Sequence, residues 1–431
     1  MSGIVGVTLE GEYSAANLIL YGLYALQHRG QETAGIGMIE GNEIQVKKGT
    51  GIVSSIFREN VLSSLPGNRG LGHVKYGEYI DYDKRQPILP EEFKIRGQSC
   101  LLVIDGNILT KDFSLYEMAK NLSGSLDQAK KYLASLKGAF AGIYLDRYKM
   151  IAFRDQQGLK PICVGRLEDG YIFASESCAI DSCGASLIKM LEMGEIAVVK
   201  NQSLTFSKYA SLEERKACLF EMIYISRPDS YMDGTSIYKA RHRIGQRLYY
   251  ENPTKADIVM GAPDSGLVAA IGYAEASKIP YKDGIIKNRY VGRTFINAND
   301  DMRTKDIFIK LNPIREVLKD KSIILVDDSI VRGSTSKRTI KMLKEAGAKE
   351  VHVRISAPAV KYTCNLSLDS PDQERLIAHD KTLEELREYI GADSLYFLSL
   401  EGLKEASGNG GFCDHCFTGN YPIEVYDEID I

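Results

Sequence analysis

The chain has 431 residues, of which 44% are hydrophobic and 26% are charged, and its formal net charge is −3. This length is ample for two domains with buried cores, and the near-balanced charge gives no indication of a nucleic-acid or membrane partner. Residues 1–6 lack a basic segment followed by an apolar one, and no apolar run approaches the roughly 18 residues of a membrane span, so we expect a cytoplasmic protein.

The first half is predicted to be an α+β domain of antiparallel strands and helices. Alternating apolar residues predict a strand at 4–9, and apolar residues at helical spacing predict a helix at 18–26. Short strand-like runs separated by turns rich in Gly and Asp follow at 101–104, 139–145, 150–153, 171–174 and 196–199.

The second half changes to strands that alternate with helices, which predicts a parallel, doubly wound α/β sheet. The predicted elements are strands at 257–260, 323–326 and 351–355 and helices at 267–276 and 337–345. The polar stretch 201–211 separates the two patterns, so we divide the chain into domains 1–208 and 209–431. The tail from residue 370 mixes helical and loop patterns and is expected to wrap the second domain.

The most informative motif lies where the 323–326 strand ends, in the string ILVDDSIVRGSTS at 324–336. Asp327 and Asp328 end the strand, and a loop of small hydroxylated residues precedes a helix. Ligands of open α/β sheets bind at the carboxyl ends of strands, and a helix N-terminus offers N–H groups to a phosphate. The paired acids suit ribose hydroxyls or a magnesium ion. A parallel strand followed by a polar turn is the plain structural alternative.

Two further loops could complete a phosphate site. The string GAPDSG at 261–266 ends a predicted strand in a tight turn, where the backbone could approach a diphosphate. The string KNRYVGRTFI at 287–296 carries three cations and two aromatic residues. It is either a solvated basic loop or a lid that brings a cation to a leaving diphosphate and excludes water.

Together these strings resemble the glutamine phosphoribosyl-diphosphate (PRPP) amidotransferases, the amidophosphoribosyltransferase family. The string at 324–336 is nearly identical to the PRPP loop of that family, and 287–296 matches its flexible active-site loop. The resemblance implies an N-terminal Ntn-hydrolase-like αββα sandwich and a C-terminal type I phosphoribosyltransferase sheet. It also implies that PRPP is converted to 5-phosphoribosylamine and diphosphate, the first step of de novo purine synthesis.

Carried over residue by residue, the resemblance implies a substrate site in the second half. Three residues are expected to form a catalytic lid over PRPP: Lys287, Tyr290 and Arg293. Three are expected to hold Mg²⁺: Ser265, Asp327 and Asp328. The residues expected to bind PRPP are Asp264, Ser265, Asp327, Asp328, Ser329, Arg332, Gly333, Ser334, Thr335 and Ser336.

Eight cysteines are too sparse for a secreted disulfide scaffold, which favours metal-binding or structural thiols. By spacing alone, Cys413 and Cys416 could be half a zinc site, a redox pair or two ordinary thiols. The family's iron–sulfur class places its ligands at Cys218, Cys364, Cys413 and Cys416, which implies a [4Fe–4S] cluster; four-thiolate zinc is the alternative. The remaining cysteines are expected to be core thiols: Cys100, Cys163, Cys178 and Cys183.

The first half resembles the glutaminase domain of the family without its nucleophile. Family members carry a cysteine at position 2, and its freed α-amino group serves as the base in the attack on glutamine. Ser2 stands at this vestigial nucleophile position, and its hydroxyl is a poorer nucleophile near neutral pH. The strings QHRGQE at 27–32 and ASESCA at 174–179 still match the family, so we expect the frame of the domain to be retained.

The glutamine pocket of the resemblance is altered as well. Lys75 replaces the arginine that clamps the glutamine carboxylate and cannot make the bidentate contact, and Glu78 adds a repelling charge. Gly106 and Asn107 match the oxyanion hole, but Asp105 puts an anion beside it. We therefore expect glutaminase activity to be lost.

The sequence predicts an amidophosphoribosyltransferase-like enzyme that uses ammonia. The ammonia would come from solution or from a glutaminase-competent paralogue, and we expect a homo-oligomer or a hetero-oligomer with that paralogue. The alternative is a regulatory or partner subunit that binds PRPP or a nucleotide without turnover. A third reading is a different amine acceptor. The intact lid and both acids of the loop favour catalysis, because a mere binder needs neither.

Overall fold

The computed structural model describes residues 1–11, 14–76, 88–211, 214–288, 290, 310–367 and 371–423. Two antiparallel sheets are built from residues 2–208, and a parallel sheet is built from residues 258–397. The expected combination of a two-sheet sandwich with a doubly wound α/β sheet is therefore confirmed. Within the described residues, no helix has both the length and the apolar character needed to cross a bilayer.

The first sheet has seven strands, and its central strand, Ser2–Leu9, is buried along its whole length. In spatial order the strands are Ser186–Met190, Cys163–Leu167, Gly170–Ala174, Ser2–Leu9, Arg69–Lys75, Thr33–Glu40 and Glu43–Thr50. All neighbours pair antiparallel. The helix Ala16–Ala25 buries Ile19 and Leu23 in one core cluster with Val5 and Val7 of the sheet, which fixes the helix on this face.

The second sheet packs face to face with the first. Its six strands, all antiparallel, are in spatial order Ser203–Lys208, Glu195–Lys200, Lys149–Arg154, Gly138–Asp146, Gln98–Ile108 and Glu91–Ile95. Ile4 and Leu71 of the first sheet share a core cluster with Phe140 and Ile143 of the second. The helices of this half are Val53–Ile56, Glu59–Leu62, Leu115–Ser123, Leu126–Ser135, Ser177–Ser182 and the 3₁₀ turn Gln27–Arg29.

The parallel sheet has helices on both faces. Its strands are in spatial order Ile258–Gly261, Ser322–Asp327, Glu350–Ile355 and Ser394–Phe397. In the second of these strands, Ile324 and Val326 belong to one core cluster, whereas Ile323 and Leu325 belong to the cluster on the opposite face. A strand buried on both faces needs a continuous apolar run, which explains the string that precedes Asp327.

The remaining elements of the second half surround this sheet. The helices are Ile237–Glu251, Leu267–Ser277, Arg315–Leu318, Ser334–Glu345, Ile377–Asp380, Leu383–Ile390, Leu400–Ser407 and His415–Thr418, with the π-helical turn Glu221–Ile225 and the 3₁₀ turn Gln373–Arg375. Short strands pair Ala217–Cys218 with Phe412–Cys413, Tyr231–Met232 with Thr235–Ser236, and Ile285–Lys287 with Leu311–Pro313.

Each strand and helix predicted from the sequence is present, with bounds that differ by a few residues. Two strands add detail to the expected organisation. The polar stretch 201–211 contains the edge strand Ser203–Lys208, whose polar residues suit a position that is half exposed. The tail contributes Ser394–Phe397 as the fourth strand of the parallel sheet, so it is part of the sheet as well as its cover.

Candidate functional site

The acidic loop, residues 327–336, begins at the carboxyl end of Ser322–Asp327. This strand is flanked on both sides by parallel strands, so the loop leaves from the interior of the sheet. Gly333 adopts a left-handed conformation with φ 72° and is the N-cap of the helix Ser334–Glu345. Because glycine has no side chain, the N-cap residue supplies no acceptor to the N–H groups of the first turn. The loop therefore presents free helix N–H groups next to two acids, an arrangement suited to a phosphorylated ligand.

The two acids of the loop are hydrogen-bonded within the loop itself, and the buried guanidinium of Arg241 interacts with Asp328 through its charge. The backbone N–H of Asp328 donates to Asp327 Oδ1 at 2.9 Å, and Ser329 Oγ donates to Asp328 Oδ2 at 2.7 Å. Within the part of the chain that the structure describes, neither carboxylate forms an ion pair with lysine or arginine. Burial, together with the carboxylate of Asp328, raises the pKa of Asp327 well above its ordinary value. A cation that reaches this pair would relieve the repulsion.

The turn that carries Asp264 and Ser265 packs against the end of the acidic strand. The N–H of Ala262 donates to Val326 O at 2.8 Å, and a Cβ added at Gly266 would lie 2.3 Å from the same oxygen. Only glycine allows this close approach. The structure therefore brings the expected diphosphate turn and the acidic loop to the same edge of the sheet.

The expected lid is placed only at its first residues. Lys287 Nζ forms an ion pair with the Asp264 carboxylate, and both side chains are partly exposed. Tyr290 is fully exposed, and Arg293 lies outside the described residues. The contact of Lys287 brings one lid cation to the diphosphate turn.

The N-terminal pocket is formed by Ser2, Arg29, Asp105 and Lys160. Its charges are arranged in the opposite way to those of the acidic loop, because cations surround its carboxylate. Asp105 Oδ1 accepts from the backbone N–H of Ser2 at 3.0 Å and lies 3.1 Å from Lys160 Nζ. Its Oδ2 lies 3.4 Å from Arg29. Burial alone would raise the pKa of Asp105, but Lys160 and Arg29 hold it below its ordinary value. Asp105 is therefore an ionised group that the chain itself neutralises.

Arg29 also joins the two halves of the chain. Its guanidinium donates to Glu176 at 2.8 Å and to both carboxylate oxygens of Glu221, at 2.7 and 2.9 Å, and its Nε donates to Ser2 O at 2.9 Å. The Arg29 side chain is completely buried. This network was not predicted from the sequence, although Arg29 and Glu176 lie in the two strings that match the family. A charged residue lies inside each of several segments that are otherwise well buried, and this was the available signal for the network.

The position expected to form the oxyanion hole contacts another part of the chain. Asn107 Nδ2 donates to Asn365 O at 3.0 Å, and Lys160 Nζ donates to Ser367 O at the same distance. Gly106 has φ 113°, and a Cβ there would lie 1.9 Å from Ala139 O, so the backbone at this position requires glycine. Asn365 O, in segment 365–367, thus accepts a hydrogen bond from the Asn107 amide. Glu78 lies outside the described residues.

The cysteine group, Cys218, Cys364, Cys413 and Cys416, is assembled from separate segments. Cys218 and Cys413 are register partners in a short parallel ladder, and Cys364 and Cys413 pack on the same apolar cluster. Burial and the other three thiols of the group raise the pKa of Cys416 well above its ordinary value. The donor set is therefore right for a thiolate-bound metal or cluster. Among the described residues, however, no three His, Cys, Asp or Glu side chains are arranged as metal ligands.

The other cysteines are Cys100, Cys163, Cys178 and Cys183, and all four are buried. Each belongs to the two-sheet half, and burial raises the pKa of Cys100 to about 11 and that of Cys183 to about 12. These thiols are protonated core side chains, as expected.

Two family models match the chain. A model of the phosphoribosyl transferase domain matches residues 229–372, and a model of the glutamine amidotransferase domain matches residues 86–182. The first range contains the acidic loop and the Asp264 turn, and the second contains Asp105 and Lys160.

Full-length relatives are similar over the whole chain. The chain is 40% identical to an amidophosphoribosyltransferase of Archaeoglobus fulgidus, with 99% of each chain covered. It is 39% identical to the amidophosphoribosyltransferase of Bacillus subtilis, with 99% of this chain and 95% of the relative covered.

Two solved structures are similar at full length. One is described as the allosteric regulatory enzyme of purine biosynthesis, with 38% identity, a TM-score of 0.90 and coverage of 99% of this chain and 97% of that chain. The other is a glutamine PRPP amidotransferase of Bacillus subtilis complexed with ADP and GMP, with 39% identity, a TM-score of 0.89 and coverage of 99% and 98%.

Proposed function

The chain belongs to the amidophosphoribosyltransferase family, and we propose that it makes 5-phosphoribosylamine with free ammonia in place of glutamine. Membership makes it a phosphoribosyl-transferring enzyme of purine biosynthesis, with PRPP as the substrate that fits its phosphoribosyl transferase domain. The observation that carries the proposal is the N-terminal pocket, where Asp105 is neutralised by Lys160 and Arg29.

The second half would carry out the transfer. The first-turn N–H groups of the acidic loop bind the 5-phosphate, with the hydroxyls of Ser334, Thr335 and Ser336 beside them. The nitrogen lone pair of ammonia forms a bond to C1 of the ribose, and the C1–O bond breaks with its electron pair leaving on diphosphate. The new C1–NH3+ group then loses one proton to solvent, which gives the neutral amine. Lys287, next to Asp264, brings positive charge to that leaving group.

Magnesium is the metal we propose for Ser265, Asp327 and Asp328. Their hydroxyl and carboxylate oxygens are the ligands that Mg²⁺ prefers, and the two adjacent acids give it a charge reason to bind. When bound, Mg²⁺ would neutralise charge on the departing diphosphate. Two carboxylates and one hydroxyl leave other coordination positions for PRPP and water.

The geometry of the N-terminal pocket opposes glutamine hydrolysis. An N-terminal nucleophile needs a neutral amine at residue 2 to take the proton of its own side chain. The nitrogen of Ser2 faces the Asp105 carboxylate at 3.0 Å, so an amine placed there would be held protonated. The Asn107 amide already donates one of its two N–H groups to Asn365 O, which fixes its direction and leaves one donor for an oxyanion. Both contacts support loss of the glutaminase reaction.

A diphosphate-release assay with PRPP and Mg²⁺ tests the proposal. We expect release with ammonium and, because Asp105 holds the nitrogen of residue 2 and Asn365 O takes one donor of the Asn107 amide, a glutamine-dependent rate at least about 100-fold lower. Removing traces of ammonia with an ammonia-consuming enzyme is the control. Equal rates with the two donors would disprove ammonia dependence. Release with neither donor, in protein that binds PRPP, would favour a regulatory subunit.

We further propose that the cysteine group binds a [4Fe–4S] cluster, with zinc as the alternative. Four thiolates from separated segments suit such a cluster, which would tie Ala217–Cys218 and Phe412–Cys413 to the loop of Cys364. Anaerobically purified protein should be brown and contain about four iron atoms per chain. Colourless protein with one zinc per chain would decide for zinc, and metal-free protein would exclude both.

The broader organisation remains part of the proposal. We propose domains 1–208 and 209–431, a cytoplasmic location and an oligomeric enzyme. The division is supported by the sheets, since the antiparallel sheets end at Lys208 and the parallel sheet begins at Ile258. Sedimentation with and without Mg²⁺ and PRPP would test the oligomer.

A further inference from the structure

The segment after residue 371 covers the acidic loop. The N–H of Ile377 donates to Val331 O at 2.9 Å, which ties the segment to the loop backbone. A Cβ added at Gly333 would lie 2.9 Å from Ile377 Cδ1 and 3.2 Å from Tyr389 Cε1. The left-handed Gly333, which starts the phosphate-facing helix, therefore has little room for a side chain beside Ile377 and Tyr389 of the covering segment.

Tyr389 belongs to a capped helix that packs beside Gly333. It lies in the helix Leu383–Ile390, which begins with a capping box at Thr382 and Glu385 and buries Leu386 and Ile390. The Tyr389 side chain is 37% exposed, so one part of the ring packs on the loop while another faces solvent. A helix anchored in this way gives the ring a fixed position relative to Gly333.

The same ring contacts a cation of the helix that follows the loop. Lys337 Nζ lies 4.5 Å from the centroid of the Tyr389 ring. Lys337 is the fourth residue after the Gly333 N-cap, and helical side chains tilt towards the N-terminus, so its ammonium lies towards the first turn. Among the described residues, no carboxylate forms an ion pair with Lys337. A ring face holds a cation without neutralising it, which leaves the full charge available to an anion.

We propose that Tyr389 is a positioning residue for the 5-phosphate end of PRPP, acting through Gly333 and Lys337. Its edge fixes the backbone that starts the phosphate-binding turn, and its face holds the Lys337 ammonium where it adds to the positive end of the helix. This inference rests on the proposed PRPP site. It adds Tyr389, which is distant from the acidic loop in the sequence, to the residues of that site.

Three substitutions compare the edge of the Tyr389 ring with its face. Tyr389→Phe keeps both and should match the wild type. Tyr389→Leu keeps apolar bulk against Gly333 but has no π face, and Lys337→Met removes the cation. Each of the latter two should raise the Kd of Mg–PRPP about three- to tenfold, with kcat within about twofold. The double variant should be no weaker than the worse single, because both act through one contact.

Ligands that carry one end of PRPP locate the effect. Binding of ribose 5-phosphate should weaken in parallel in Tyr389→Leu, whereas binding of inorganic diphosphate should be unchanged. A loss that affects both ligands equally, or a lowered melting temperature that explains it, would reduce Tyr389 to a structural role and overturn the proposal.

Calorimetry without an amine keeps this test independent of turnover. If the wild type binds PRPP and Tyr389→Leu binds it equally well, the inference on Tyr389 fails while the PRPP site stands. If the wild type binds neither PRPP nor ribose 5-phosphate, the proposed site itself fails.

Discussion

Asp105 and Asp327 are both carboxylates of strands, Asp105 inside Gln98–Ile108 and Asp327 at the end of Ser322–Asp327, but their surroundings are opposite. Asp105 lies 3.1 Å from Lys160 and 3.4 Å from Arg29, and its pKa is held low. Asp327 has the carboxylate of Asp328 as its neighbour, and its pKa is raised. The cations around Asp105 suit a structural role for that carboxylate, whereas the pair of acids at Asp327 and Asp328 suits a bound metal cation.

The largest expected effect comes from removing one of the cations that balance Asp105 in the N-terminal pocket. Lys160→Met leaves Asp105 buried with only the more distant Arg29, and removing one partner of a buried ion pair costs about 3–5 kcal/mol of unfolding free energy. Ser367 O also loses its donor. Denaturant unfolding followed by fluorescence and circular dichroism measures this loss. Ammonium-dependent turnover per folded molecule should stay close to that of the wild type.

The matched control removes both charges. Lys160→Met combined with Asp105→Leu leaves no buried unpaired ion and should recover most of the lost stability. A Lys160→Met protein as stable as the wild type would mean that Asp105 is not held by this pair, and the distinction between the two sites would be lost.

The next largest effect is expected at the acidic loop. Asp328→Asn keeps the shape of the side chain and removes one negative charge, so it should weaken Mg–PRPP binding or turnover. One charge-assisted contact is worth roughly 1.5–3 kcal/mol, or about one to two orders of magnitude in kcat/KM. Unfolding free energy should change little, because no basic side chain of the described chain pairs with this acid. Wild-type kinetics in this variant would mean that the site assignment is wrong.

The open site could be predicted from the sequence better than the closed one for a physical reason. The acidic loop is local: strand, acids, glycine and helix follow one another within residues 322–345, so one string contains most of its geometry. The N-terminal pocket is built from Ser2, Arg29, Asp105 and Lys160, and only folding reveals that Lys160 reaches Asp105. From the sequence, Asp105 is interpreted as a repelling charge in an open pocket, because nothing local marks the buried cations that balance it.

Tyr389 shows the same limit at the open site. Nothing in the string around residue 389 marks it as part of a phosphate site, because its contact with Gly333 arises from packing between segments far apart in the chain. The additional strand Ser394–Phe397 was missed likewise, since its four residues are too few for a periodic signal.

A smaller effect appears with pH in the N-terminal half. Burial first, then the charge of Lys75 and the amino terminus, lower the pKa of His73 to about 3, with Asp105 opposing the shift. The pKa of histidine in the unfolded state is about 6.5. Below that pH the unfolded state therefore binds a proton that the folded state does not. His73 therefore removes stability as the pH falls, by about 2 kcal/mol between pH 6.5 and 5.

Unfolding at several pH values checks this sign. His73→Leu should lower the pH slope of unfolding free energy by about one proton, or about 1.4 kcal/mol per pH unit, between pH 6 and 4. An equal slope in His73→Leu and the wild type would mean that His73 is already protonated in the folded protein.

The smallest expected effect is on the missing nucleophile itself. Ser2→Cys restores the thiol of the family but not its surroundings: Asp105 still faces the nitrogen of residue 2, and Lys75 still stands where the family has its arginine clamp. We therefore expect no glutamine-dependent diphosphate release above the Ser2→Ala control. A diazoketone analogue of glutamine, followed by mass spectrometry, is a more sensitive readout, and it should leave the introduced thiol unmodified because the analogue must bind before it reacts. Covalent labelling at residue 2, or glutamine turnover, would show that serine alone silences the pocket and that Asp105 neutralised by Lys160 is compatible with glutamine binding.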